Sequence, residues 1–251
     1  MEKDMIVNGV NFNITNAELF KHSVEGIQKS IATPKSFFCS DNIISWNRNL
    51  SFMTDSSFMQ LVQRHATSDI EMAIIWRTYV LCYFARLATH LPGDFLEVGA
   101  YQGNTANVIA DWIDIESSDK KYWLYDAFEH TGIEANHALP GHSPELFEEV
   151  KKRFRNYKSI HVIKGHVPNS FSQGFPESIA FAHIDLNQAP AEVATLERVL
   201  PILTPGGIIV LDDYGWHGYR AQKEAEDPLL ARFGLSALEL PTGQGLVIKP
   251  L

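Results

Sequence analysis

Between residues 94 and 212 short apolar runs and amphipathic stretches alternate with a regularity that few folds accept. The runs at 94–98, 121–126, 160–164, 179–185 and 207–212 read as strands, and the stretches at 103–115, 143–156, 167–172 and 190–202 between them read as helices. Strands separated by helices pair in parallel, and a parallel sheet needs helices on both faces. The expectation is therefore α/β: a doubly wound, seven-stranded sheet. After a further helix at 218–232, residues 237–240 and 246–249 flank the turn Pro241-Thr242-Gly243-Gln244-Gly245 and read as a hairpin. The sheet should be mostly parallel with an antiparallel last strand.

Upstream, residues 1–67 are polar, Asn/Ser-rich and weakly periodic, and 68–251 form the domain proper, opened by a long helix at 69–90 that Leu91-Pro92-Gly93 ends. The first segment carries Phe37, Phe38, Trp46, Phe52, Met53, Phe58 and Met59, which suggests a segment that folds over either the body of the domain or a substrate, with a lid that engages a second copy of the chain as the expectation. A homo-oligomer, dimer or higher, is expected. A net charge of −9 argues against a nucleic-acid partner, and the run Lys151-Lys152-Arg153-Phe154-Arg155 reads as the solvated face of a helix. Cys39 and Cys82 are too few for a disulfide framework or a thiolate zinc site, which fits a reducing, cytoplasmic setting. The first five residues hold no apolar signal core, and Glu71, Arg77, Arg86 and His90 interrupt the most apolar helix, so no membrane segment is expected.

In a doubly wound sheet, ligands sit at the carboxyl ends of the strands. The first strand runs into Gly99-Ala100-Tyr101-Gln102-Gly103-Asn104-Thr105, a glycine-spaced turn that opens a helix. A dinucleotide fingerprint needs a second glycine where Tyr101 stands, which disfavours NAD. The second strand ends in Asp126-Ala127-Phe128, whose carboxylate suits two ribose hydroxyls or, more blandly, a helix cap. The third ends in Lys164-Gly165-His166, where glycine lets backbone approach an adenine. Asp185 ends the fourth strand and Asp212-Asp213 the fifth. Three carboxylates gathered there are costly unless a cation neutralises them, and hard oxygen ligands select Mg²⁺ or Mn²⁺. The alternative is that Asp212 or Asp213 caps a turn and Asp185 only binds cofactor.

The segment LEVGAYQGNT resembles the first motif of class I S-adenosylmethionine-dependent methyltransferases, especially catechol O-methyltransferase-like enzymes. The HIDL segment at 183–186 and the LTPGGIIVLDDYG run at 203–215 are similar to the macrocin O-methyltransferase family, which methylates sugar hydroxyls; Asp126-Ala127-Phe128 also resembles that family's segment after the second strand. The likeness covers about residues 92 to 216. It implies that S-adenosylmethionine lies on Glu97, Gly99, Ala100, Tyr101, Gly103, Asn104, Thr105, Asp126, Ala127, Phe128, Gly165, His166 and Asp185. It also implies that Asp185, Asp212 and Asp213 hold a magnesium ion. Asp185 or His217 is then the candidate base, with His130, His137 and His142 in the stretch after the second strand. Two positions depart from pattern: Asn187 stands where the family has a second aspartate, and Gln188 where catechol-type enzymes place a lysine base. The expected activity is metal-dependent O-methyl transfer to a small-molecule hydroxyl, on a sugar or sugar-containing natural product, with a catechol or other phenol as the alternative acceptor. A NAD-dependent oxidoreductase and a non-catalytic cofactor-binding protein are the readings from other classes.

Overall fold

The computed structural model describes residues 6–32, 37–130 and 139–251. Two compact units meet along the chain at Tyr79 and Val80, twelve residues beyond the boundary the composition suggests.

The first unit has a small sheet of its own. Strand β1 (Ile6–Asn8) pairs in parallel with β2 (Phe37–Ser40), which pairs antiparallel with β3 (Ile43–Ser45). Helix α1 (Ala17–Ser30) begins where the Asn16 side chain accepts the Leu19 amide at 2.9 Å, and it packs Val24, Phe20 and Ile27 against Phe37 and Cys39. Helices α2 (Ser51–Thr54), α3 (Ser56–His65) and α4 (Asp69–Ala73) follow, the last opened by a Ser68–Glu71 capping box. The long helix expected at 69–90 is in fact two. It breaks at Ile74, where the Ser40 hydroxyl donates to the Ala73 carbonyl at 3.0 Å, and resumes as α5 (Ile75–Ala88).

Phe37, Phe38, Phe52 and Phe58 are buried, and Phe52 stacks on Tyr79 and packs against Trp76. These aromatics are thus the core of their own unit, and of the expected set Trp46 is the one left exposed. The unit also buries a bidentate ion pair, in which the Arg77 guanidinium donates to both oxygens of Asp41.

The second unit is the expected seven-stranded sheet. Its strands are β4 (Asp94–Val98), β5 (Tyr122–Asp126), β6 (Ile160–Lys164), β7 (Ile179–Ile184), β8 (Leu203–Leu211), β9 (Leu238–Glu239) and β10 (Gly245–Ile248), in the spatial order β6-β5-β4-β7-β8-β10-β9. The first five run parallel, and β10 lies antiparallel to both β8 and β9. Strand β8 starts earlier than the apolar run suggests, because a register shift opposite Ile179–Phe181 lets Pro205 sit where no ladder bond is required. Helices α6 (Asn104–Trp112), α7 (Leu146–Phe154), α8 (Ala189–Ile202) and α9 (Arg220–Arg232) complete the unit. The helix expected at 167–172 is a 3₁₀ turn, Asn169–Gln173, between Pro168 and Gly174. Strand order reverses between β4 and β7, so the crevice for a ligand opens at their carboxyl ends. No helix among the described residues is long and apolar enough to cross a membrane.

Candidate active site

The reversal brings the tips of β4 and β7 into backbone contact. The Asp185 amide donates to the Val98 carbonyl at 2.8 Å, and the Gly99 amide to the Tyr125 carbonyl at 2.8 Å. At Gly99, φ is +98°, and a Cβ would lie 1.7 Å from the Asp185 carbonyl oxygen. Glycine is required here by strand-to-strand approach, beyond the freedom a tight turn needs. Gly103 has a different role: its φ is +72° and a Cβ would meet the Phe154 ring at 2.7 Å, so it seats α7 against the start of α6.

Around this contact lies an open cleft. Of the residues expected to hold cofactor, Gly99, Tyr101, Asp126, Ala127, Gly165, His166 and Asp185 line it. Asp126 sets one wall. Its carboxylate accepts the Tyr101 amide at 2.7 Å and the Phe128 amide at 2.6 Å, which orders the glycine turn while leaving each oxygen a lone pair for a ligand. Burial raises its pKa, and these two amides work against that rise. Tyr125, Glu129, Leu186, Asn187 and Gln188 line the cleft as well, as do His130 and His142, whose rings stack at 5.8 Å. His137 lies outside the described residues.

Other expected residues stand elsewhere. Glu97 is 1 % exposed inside the sheet, where it accepts the Tyr122 hydroxyl at 2.7 Å, and it does not line the cleft. Phe128 is buried against Phe147, Ala100 is buried, and Asn104 is held by Gln102 and Arg153 at the start of α6; neither these nor Thr105 line the cleft. His217 is exposed and lines a separate surface pocket with Tyr214, Trp216 and Lys223.

Among the described residues the potential metal-ligating cluster is His183, Asp185 and Asp212, whose ligand atoms all lie within 4.8 Å of one another. It takes Asp212 and leaves out the neighbouring Asp213, as alternation at a strand tip predicts. His183 is the member the acid pattern did not reveal. The signal was its place two residues before Asp185 on one strand, which puts both on one face. Its Nδ1 lies 3.4 Å from Glu97 and its Nε2 3.5 Å from Asp212, ion-pair distances without hydrogen-bond alignment. Burial pulls the imidazole pKa down, but Asp212 and Glu97 outweigh it and hold the ring protonated up to about 10. The Gln244 amide donates to Asp212 at 3.0 Å, and the Thr242 hydroxyl donates to Gln244 at 2.9 Å. A buried polar chain thus runs from Tyr122 through Glu97, His183 and Asp212 to Thr242. The Asn187 amide steadies Asp185 from the cleft side at 3.3 Å.

Residues 96–214 match the family described as a methyltransferase domain. A Streptomyces olivaceus protein, 8-demethyl-8-(2,3-dimethoxy-alpha-L-rhamnosyl)-tetracenomycin-C 4'-O-methyltransferase, is 23% identical over 171 residues, 59% of this chain and 66% of that protein. Demethyldecarbamoylnovobiocin O-methyltransferase of Streptomyces niveus is 22% identical over 144 residues, 51% of this chain and 55% of that protein. The chain therefore spans just under two thirds and just over half of these curated relatives' lengths. The solved structure of the O-methyltransferase NovP superposes with a TM-score of 0.58 at 20% identity, over 70% of this chain and 81% of that one, a likeness of fold.

Proposed function

We propose, from a chain whose residues 96–214 match the methyltransferase-domain family, that this protein moves the methyl group of S-adenosylmethionine to a hydroxyl of a small molecule, a sugar or sugar-containing natural product, with the help of a divalent cation. One observation carries the reading: Asp185 belongs both to the cleft and to the His183–Asp185–Asp212 cluster, so a cofactor site and a polar reaction site share a residue. Asp126 is assigned to the ribose hydroxyls, and the backbone around Gly99 and Gly165 to the close approach of the ligand.

The donor set suits a divalent cation, since two carboxylates and an imidazole converge and both His183 nitrogens lack a hydrogen-bond partner. Asp185 and Asp212 would hold it, with His183 as third ligand once its proton has left. The imidazole favours Mn²⁺ over Mg²⁺ relative to an all-carboxylate set. Such a cation, when bound, lowers the pKa of an acceptor hydroxyl and fixes its oxygen.

The chain's own residues supply position and proton handling. A cofactor bound along the cleft walls would present its sulfonium methyl near Asp185. In the transfer the acceptor oxygen forms its bond to the methyl carbon as the carbon–sulfur bond breaks, the electron pair stays on sulfur, and Asp185 takes the hydroxyl proton. His217, in another pocket, is left out of the chemistry. The rhamnosyl compound in the name of the S. olivaceus relative favours a sugar acceptor over a phenol. Incubation with labelled S-adenosylmethionine and separate panels of glycosides and catechols tests the proposal. Transfer to glycosides that EDTA abolishes and Mn²⁺ restores is expected; full turnover after exhaustive chelation removes the cation from the scheme, and transfer to catechols alone moves the acceptor class.

A further inference from the structure

Behind the cleft, two acids are buried against each other. Glu192, in the first turn of α8, is 3 % exposed, and Glu226, on α9, is fully buried. Glu192 Oε1 accepts the Leu186 backbone amide at 3.2 Å and the Gln222 side-chain amide at 2.7 Å. Neither oxygen of Glu226 has a hydrogen-bond donor. Two ionised carboxylates cannot stand side by side out of water, so the pair must hold a proton. Burial, and next the contact with Glu226, push Glu192 up to about 11; burial raises Glu226 as well. Asp185, from the end of β7, adds to the rise at Glu192, while on α9 Asp227 raises Glu226 and Lys223 opposes it. A proton carried on the second oxygen of Glu192 satisfies Glu226 and leaves Oε1 to accept from Leu186.

That amide begins the loop that matters. Leu186, Asn187 and Gln188 line the cleft, and Asn187 is held at a φ of +56°, a conformation that needs support from its surroundings. We propose that Glu192 is a positioning residue that fixes the 186–188 loop in its cleft-lining form through the Leu186 amide and ties it to α9 through Gln222. The proposal rests on the reading of the cleft as the S-adenosylmethionine site.

Three variants test it in the full chain, with S-adenosylhomocysteine affinity by calorimetry and Leu186 amide protection by hydrogen exchange as readouts. Glu192→Gln keeps an oxygen for Leu186 and offers an N–H to Glu226, so it matches wild type in both. Glu192→Ala removes both contacts; affinity and protection each fall about tenfold, the effect of roughly one lost hydrogen bond. Glu192→Met, which fills the space without an acceptor, repeats the comparison if the alanine variant does not fold. Wild-type affinity and protection in Glu192→Ala or Glu192→Met overturn the proposal, and so does failure of Glu192→Gln to restore them. Wild-type protein that binds no S-adenosylhomocysteine overturns the cleft assignment instead, and Leu186 exchange then decides the positioning role alone.

Discussion

Replacing Gly99 with alanine puts a methyl group where the tips of β4 and β7 already touch. The new Cβ would sit 1.7 Å from the Asp185 carbonyl oxygen and 2.6 Å from its carbon, and contacts under 3.0 Å are essentially never tolerated. Relief needs a parting of at least 1.3 Å, the difference between 1.7 and 3.0 Å. The obstructing atoms are backbone and cannot swing aside. Parting them strains the Asp185–Val98 and Gly99–Tyr125 bonds, each 2.8 Å in the native chain. Each buried bond lost costs about 1–3 kcal/mol, and a side chain at positive φ adds about 1–3 kcal/mol. A destabilisation of at least about 3 kcal/mol follows, in the range of severe single substitutions. Gly103→Ala is the comparison, because it shares the positive φ (+72°) but its Cβ meets the edge of the Phe154 side chain rather than backbone; a smaller loss of about 1–3 kcal/mol is expected there. Urea melts of both variants, with S-adenosylhomocysteine calorimetry on the folded fraction, measure the contrast. Wild-type stability and affinity in Gly99→Ala would refute the argument that strand-to-strand approach dictates this glycine.

Asp126→Asn leaves one of two backbone amides without its acceptor and weakens the ribose contact, so S-adenosylhomocysteine affinity should fall by about 10- to 100-fold at about 1.5–3 kcal/mol per charge-assisted bond; unchanged calorimetric affinity contradicts the assignment. Asp41→Ala strands the buried Arg77 guanidinium and should cost about 3–5 kcal/mol in urea melts, whereas removing both charges should cost less. The Glu192–Glu226 pair titrates higher in the folded chain than in the unfolded one, so its contribution is present in full below the ordinary value of 4.5 and is lost as pH rises towards about 11. Glu192→Gln should therefore gain melting temperature over wild type at pH 9 compared with pH 5, and equal differences at the two values would show that the pair does not hold its proton.

Much of the fold was legible because its signals are local. Strand and helix alternation is written in apolar periodicity, and the final hairpin in a Gly/Pro turn, and both appear where expected. The break at Ile74 was not legible, since the Ser40 hydroxyl that bonds the Ala73 carbonyl there comes from more than thirty residues away. The packing of the first unit's aromatics was not legible for a related reason: single positions in polar sequence give no hint that Phe52 stacks on Tyr79 and packs against Trp76. At the site, Asp126 and Asp185 were visible because strand ends are visible. Glu97 carried the same signal, yet it points into the sheet towards Tyr122 and His183. The choice of Asp212 over Asp213 in the cluster depends on which face of a strand tip each occupies. Glu192 and Glu226 gave no signal, because acids on helices read as solvated until packing shows them buried.

Whether the cleft between β4, β5 and β7 takes S-adenosylmethionine is decided by parallel calorimetric titrations of the purified chain with S-adenosylhomocysteine and with NADH. Saturable one-to-one binding of S-adenosylhomocysteine, weakened by Asp126→Asn, with no heat of binding from NADH, is the expected result. Binding of NADH with none of S-adenosylhomocysteine would contradict it.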